Sequence, residues 1–153
     1  KKYGISIILD GVFSHTGADS IYFNKFNRYD SKGAYNCQDS EFFPWYTFSE
    51  YPDKYEAWWG IDTLPNVNEN NKEYTDYICG DGGVLDYWIE QGAAGYRLDV
   101  ATNCLTNFLI ILISALKSTA RKRLLSEKYG KTLQTKRATA LKDVIFWVIS
   151  LIL

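Results

Sequence analysis

Arg97 and Asp99 interrupt the strand-like string GYRLDVA at Gly95–Ala101. Residues two apart on a strand project from the same face, so the two side chains are expected side by side. A guanidinium next to a carboxylate favours the ionised form, which is the form a nucleophile needs. Asp10 and His15 follow a second apolar run, ISIILDGVFSH. Two buried-type strands, each delivering a carboxylate at its C-terminal end, is the way a parallel barrel assembles catalytic groups. Asp99 is therefore the candidate chemical centre. An Asp at a strand end is as often a cap or loop anchor, and a lone His is more often structural, so both readings stand on the residues alone. His15 has the chemistry to donate a hydrogen bond to a substrate hydroxyl. It is the single histidine of the chain, which excludes a multi-His metal site and weakens a Ser-His-Asp arrangement.

The elements that must hold these groups follow from local pattern. Ile5–Leu9 is a short β-branched run expected to form a fully buried parallel strand. Residues 16–70 are rich in aromatics, Asn, Asp and Gly without a sustained period, and long excursions of this kind in compact domains are usually functional. A helix is expected to begin at Asn71–Ile78, to be interrupted by the glycines around Gly80–Gly83, and to resume over Val84–Gln91. Val84, Leu85, Trp88 and Ile89 share one face of that segment, and Gly92 is its stop signal. Ala94–Val100 is the second strand. The order strand, long excursion, helix, strand is one βαβ unit of a parallel α/β fold.

The chain of 153 residues is 46% hydrophobic and 23% charged, proportions of a globular protein. Its aromatic fraction of 16%, with 12 Tyr and 5 Trp, supplies flat apolar faces that suit sugars and ordinary cores alike. Cys37, Cys79 and Cys104 show no metal-ligand spacing and cannot all pair with one another, so reduced thiols are expected. No signal peptide is visible; the chain opens inside a strand-like run and lacks Met, so it is expected to be a fragment whose N-terminus lies elsewhere.

Three motifs carry a family resemblance. DGVFSH at Asp10–His15, TLPNVN at Thr63–Asn68 and GYRLDVA at Gly95–Ala101 resemble three ordered regions of the α-amylase family, glycoside hydrolase family 13. The intervening tract from Ser20 to Asn68 is similar to the neopullulanase and cyclomaltodextrinase branch. The match runs from Lys1 to about Ala101. It implies a fragment of a (β/α)8 TIM barrel carrying about strand 3, a loop domain at about 16–70, helix 3 and strand 4. It further implies retaining hydrolysis of α-1,4-glucosidic bonds in maltooligosaccharides, cyclodextrins or pullulan. Asp99 would be the nucleophile with Arg97 as its partner. Asp10 and His15 would shape the subsite of the sugar being cleaved, and Trp58, Trp59 and Asn68 would bind substrate from the loop domain. No cofactor is implied: Ser14 stands where the family usually has Asn, a position linked to structural calcium. The expected partner is an α-glucan or cyclodextrin, not a nucleic acid or a membrane. The branch also implies a cytoplasmic parent enzyme that dimerises through a domain absent here.

The family's general acid is a Glu at the end of the next barrel strand, and this chain has none in that setting. After Asp99 the only acidic residues are Glu127, in LLSEKYG, and Asp143. Composition breaks at the same place. Residues 1–101 carry 8 Lys and Arg against 16 Asp and Glu, whereas 102–153 carry 9 against 2. Ten of the 11 glycines and all 3 prolines precede residue 102. Loss of one base near Ala101 explains this. Thr102–Ile110 can be given the codons ACG AAC TGC CTG ACG AAT TTC TTG ATA, which read in the neighbouring frame as DELPDEFLD, a natural continuation of RLDVA. Leu124–Leu153 can likewise be encoded so that the other frame reads IIGEVWEDASNKESYGFKRRYFLGNQLDS, which contains the family's acid-bearing EVWE. Residues 102–153 are therefore expected to be frameshifted text. Their apolar runs, Asn107–Leu116 and Val144–Leu153, are each about half the ~20 residues that cross a bilayer. The basic stretch between them gives only a weak nucleic-acid or anionic-membrane reading. A non-catalytic carbohydrate-binding module is the alternative from another class, though aromatics in an irregular loop do not make a β-sandwich pattern.

Overall fold

The computed structural model describes residues 5–99, 101 and 104–130, with side chains as far as Thr119. The end of the predicted strand at Val100, residues 131–137 of the basic stretch and the apolar run Val144–Leu153 lie outside what it describes. Two compact units divide the chain: Val12–Thr75 forms one, and the segments before and after it form the other.

The second of these is built on β1 (Ile8–Gly11) and β4 (Gly95–Leu98), paired in parallel with Asp10 opposite Arg97. The hydrogen bonds Ala94 N to Ile7 O (2.7 Å) and Asp99 N to Gly11 O (2.9 Å) extend the ladder at both ends. Among the described residues neither strand has a further neighbour. That corrects the expectation of a fully buried first strand: Ile5, Ile7 and Ile8 are 72%, 64% and 57% exposed, because the apolar run has nothing but β4 to lie against.

The connection back to β4 contains two helices where the glycines divide the pattern, α1 (Lys72–Cys79) and α2 (Val84–Glu90). Asn71 caps α1, its Oδ1 accepting the Tyr74 N–H at 2.9 Å. Gly92, at φ 109°, ends α2: Gly92 N donates to Ile89 O and Ala93 N to Trp88 O, the paired bonds of a Schellman stop. The predicted apolar face of α2 is realised in part. Leu85 and Ile89 are buried with Tyr96 of β4, whose hydroxyl donates to Val84 O, while Trp88 stays 46% exposed. A long α3 (Thr106–Gly130) packs on α2, with Phe108 and Leu112 of α3 buried and Thr119 Oγ1 donating to Asp86. Ile110 and Ile111 of α3 remain exposed, so its apolar residues do not form a single stripe.

The unit Val12–Thr75 has its own core of rings. Phe23 is wholly buried, with Tyr46 and Tyr55 edge-on at 4.8 Å each and Phe48 stacked at 5.9 Å. This tract contains a hairpin that its irregular composition conceals, β2 (Phe48–Glu50) with β3 (Lys54–Tyr55). Tyr74 Oη donates to Phe13 O at 2.8 Å in a buried hydrogen bond, tying the end of the unit to its beginning.

Candidate active site

The parallel register does most of the positioning in the β1–β4 unit. With Asp10 opposite Arg97, and Asp99 two residues further along the same strand, one guanidinium stands between two carboxylates. Arg97 Nη1 donates to both Asp10 oxygens at 2.8 Å, and Nη2 lies 2.6 Å from Asp99 Oδ1. Hydrogen bonding to Asp10 first, and the negative charge of Asp10 and Asp99 as well, raise the Arg97 pKa above its ordinary value and fix the group as a cation. All three side chains are partly exposed, and exposed ion pairs contribute little to folding stability. The register holds this cluster of charges at the C-terminal end of the strand pair. It can present one carboxylate, Asp99, as an oriented anion, with the fork of Arg97 controlling its angle. Asp10 has both oxygens engaged with Arg97, so here it orients the guanidinium.

His15, Trp58, Trp59 and Asn68 lie in the other unit. The middle of their arrangement is Thr63–Asn68, the TLPNVN motif. On one side Thr16 N donates to Pro65 O and Val67 N to Ser14 O; on the other Trp58 N donates to Leu64 O and Asn66 N to Glu56 O. His15 and Asn66 face each other across one of these bridges, and Ala57 and Pro65 across the other. This brings the His15 ring against Trp58 at 5.2 Å, and Trp58 against Trp59 at 4.5 Å with the planes 7° apart. Trp59 adopts a left-handed backbone, φ 52° and ψ 25°, next to Gly60 at φ 75°. That conformation costs a non-glycine residue roughly 1–2 kcal/mol, about what one aromatic stack returns. Trp59 nevertheless keeps 78% of its surface in solvent.

Asn68 has a local structural role. Its N–H donates to Trp45 O at 2.6 Å and its Oδ1 accepts the Asn70 N–H at 3.1 Å, the Asx turn that leads into α1. Asn66, two residues earlier, was not singled out by sequence, although it lies in the same motif and pairs with His15. Its Oδ1 and the Trp58 Nε1 are enclosed and have no hydrogen-bond partner among the described residues. Ser14 is buried, with its Oγ 3.0 Å from His15 Nδ1. Among the described residues no group of three His, Cys, Asp or Glu could hold an ion.

The sequence profile of the alpha amylase catalytic domain matches residues 1–109. An amylopullulanase of Thermoanaerobacterium saccharolyticum is 40% identical over 124 residues, covering 69% of this chain and 10% of that protein. Neopullulanase 2 of Thermoactinomyces vulgaris is 32% identical over 107 residues, covering 65% of this chain and 17% of its own length. In structure, a cyclic α-maltosyl-(1→6)-maltose hydrolase of Arthrobacter globiformis superimposes with a TM-score of 0.66 at 27% identity, over 78% of this chain and 26% of that one. The chain thus spans a quarter or less of the length of the curated relatives named here.

Proposed function

Because this chain belongs to the α-amylase family and carries part of its (β/α)8 catalytic barrel, we propose that it derives from a retaining α-glucan hydrolase. The carrying observation is the Asp10–Arg97–Asp99 cluster at the C-terminal ends of two neighbouring parallel strands. Asp99 is the nucleophile: its oxygen attacks the anomeric carbon of an α-1,4-linked glucose, forming a glycosyl-enzyme that water then opens with the configuration retained. In such reactions a second carboxyl about 5–5.5 Å from the first protonates the leaving oxygen and later activates the water. Arg97 orients Asp99 through the 2.6 Å ion pair, and Asp10 positions Arg97. His15 donates to a hydroxyl of the sugar being cleaved. The substrates are maltooligosaccharides, cyclodextrins or pullulan, and no cofactor is required. Three cysteines outside any disulfide support a cytoplasmic enzyme.

The acid is absent from the 153-residue chain because residues 102–153 are translated in a shifted frame. Two observations support this: the charge inversion at residue 102 and the apolar side chains of α3 left facing solvent at Ile110 and Ile111; codons for these residues can also be chosen so that the neighbouring frame reads DELPDEF and EVWE. On this reading the polypeptide holds a nucleophile without its acid and is inactive. The nucleotide sequence across the Ala101 codon tests it. Codons that yield DELPDEF and EVWE after restoring one base are expected, and codons that cannot yield them contradict the reading.

A further inference from the structure

We propose that Ser14 is a positioning residue for His15: its hydroxyl donates to Nδ1 and holds the ring in the neutral form that carries its proton on Nε2. The tautomer follows from the unit Val12–Thr75 alone. Its use, an N–H offered to a sugar hydroxyl, rests on the hydrolase reading above.

Backbone pairing fixes where the imidazole can be. Val67 N donates to Ser14 O and Thr16 N to Pro65 O, both at 3.0 Å, so the chain is pinned on either side of His15. His15 itself faces Asn66 across that bridge. The imidazole lies against the Trp58 ring at 5.2 Å with the planes 27° apart, which restricts its swing. Stacking alone permits the ring to turn over about its Cβ–Cγ bond. The 3.0 Å contact between Ser14 Oγ and Nδ1 selects one orientation.

The direction of that hydrogen bond sets the tautomer. A neutral imidazole has one N–H and one bare nitrogen, and the bond made at one nitrogen decides which is which. Ser14 is 6% exposed, and among the described residues Nδ1 is the one side-chain partner of its Oγ. A protonated Nδ1 would donate to Oγ and leave the hydroxyl's own hydrogen buried without an acceptor, a costly arrangement. Asn66 Oδ1, an enclosed acceptor across the bridge, has no hydrogen-bond partner among the described residues and so does not take that hydrogen. The hydroxyl therefore donates to a bare Nδ1, and the proton of the ring sits on Nε2. In this form Nε2 donates to a sugar hydroxyl; in the other tautomer the same nitrogen would accept from it.

His15 is the single histidine of the chain, so long-range proton–nitrogen correlation spectra of the full, isotope-labelled 153-residue chain read its two nitrogens directly. At a pH where the ring is neutral, a protonated Nε2 and a bare Nδ1 are expected. Ser14→Ala is expected to lower the ratio of this tautomer to the other by about fivefold, the worth of one hydrogen bond. Ser14→Thr keeps the hydroxyl and is expected to keep the ratio. Near-ultraviolet circular dichroism verifies that each variant keeps its fold. A protonated Nδ1 in the unsubstituted chain, which needs no variant, overturns the proposal, as does an unchanged ratio in folded Ser14→Ala. In the frame-restored enzyme, Ser14→Ala is expected to lower kcat/KM on maltotriose by about the same factor, and an unchanged value overturns the positioning role. If the restored enzyme hydrolyses glucan while Nδ1 carries the proton, the proposal for Ser14 alone falls. If Ser14 sets the tautomer but the restored enzyme is inactive, the hydrolase reading alone falls.

Discussion

At the scale of single residues, the account turns on one guanidinium shared by two carboxylates. Asp10 and Asp99 both reach Arg97, at 2.8 Å and 2.6 Å. In the frame-restored enzyme, Asp99→Asn removes the attacking oxygen's charge, and kcat is expected to fall on the order of 10⁴-fold or more. Arg97→Lys is not conservative here, since a single ammonium cannot replace two nitrogens directed at two acids. It is expected to lower kcat by about 10²-fold, the scale of a misplaced reacting group, with KM little changed; steady-state kinetics on maltotriose separates the two parameters. This pairing was legible before the structure, because a spacing of two on a strand fixes a common face. The partnership with Asp10 was not, because register between strands far apart in sequence is set by the fold. Trp59 was legible as an aromatic but not as an outward-facing ring: nothing in a sequence tells that a Trp will sit at positive φ.

At the scale of elements, short helices and the two parallel strands followed from their punctuation. Asn71 and Gly92 act as cap and stop because one supplies a side-chain acceptor and the other tolerates φ 109°. The β2–β3 hairpin escaped notice because strands of three and two residues are too short to show alternation. What builds it is ring packing around Phe23, and Phe23→Ala is expected to destabilise the unit Val12–Thr75 by about 3–5 kcal/mol, measured by urea unfolding. Tyr46 adds a pH signature. Burial pushes its phenol from 10.0 up to about 12, and Tyr96 in the β1–β4 unit is likewise raised to about 12. A raised folded-state value means that the folded form holds its proton more tightly. The stabilisation is therefore complete below about pH 10 and lost as pH rises towards 12. Unfolding free energies measured across that window should decline; a flat profile would contradict the burial of these phenols. Tyr46→Phe removes the 2.8 Å bond to Thr16 and is expected to cost about 0.5–1.5 kcal/mol at neutral pH.

At the scale of the molecule, two of the eight strands of a barrel are described, and each lacks a neighbour on its outer edge. Unpaired edges beside exposed Ile5, Ile7 and Ile8 favour association with other chains. The 153-residue chain is expected to self-associate with rising concentration, which sedimentation velocity would detect. The break in composition at residue 102 falls between the end of β4 at Leu98 and the start of α3 at Thr106. It was legible as charge and glycine content, because a stretch with a single glycine and no proline forms a helix whatever its origin. The decisive measurement is hydrolysis of maltooligosaccharide by the product of the gene with the lost base restored, assayed beside the 153-residue chain and Asp99→Asn. The account predicts glucose release with the α-configuration retained from the restored protein alone. Hydrolysis by the 153-residue chain, or undiminished hydrolysis by Asp99→Asn, would contradict it.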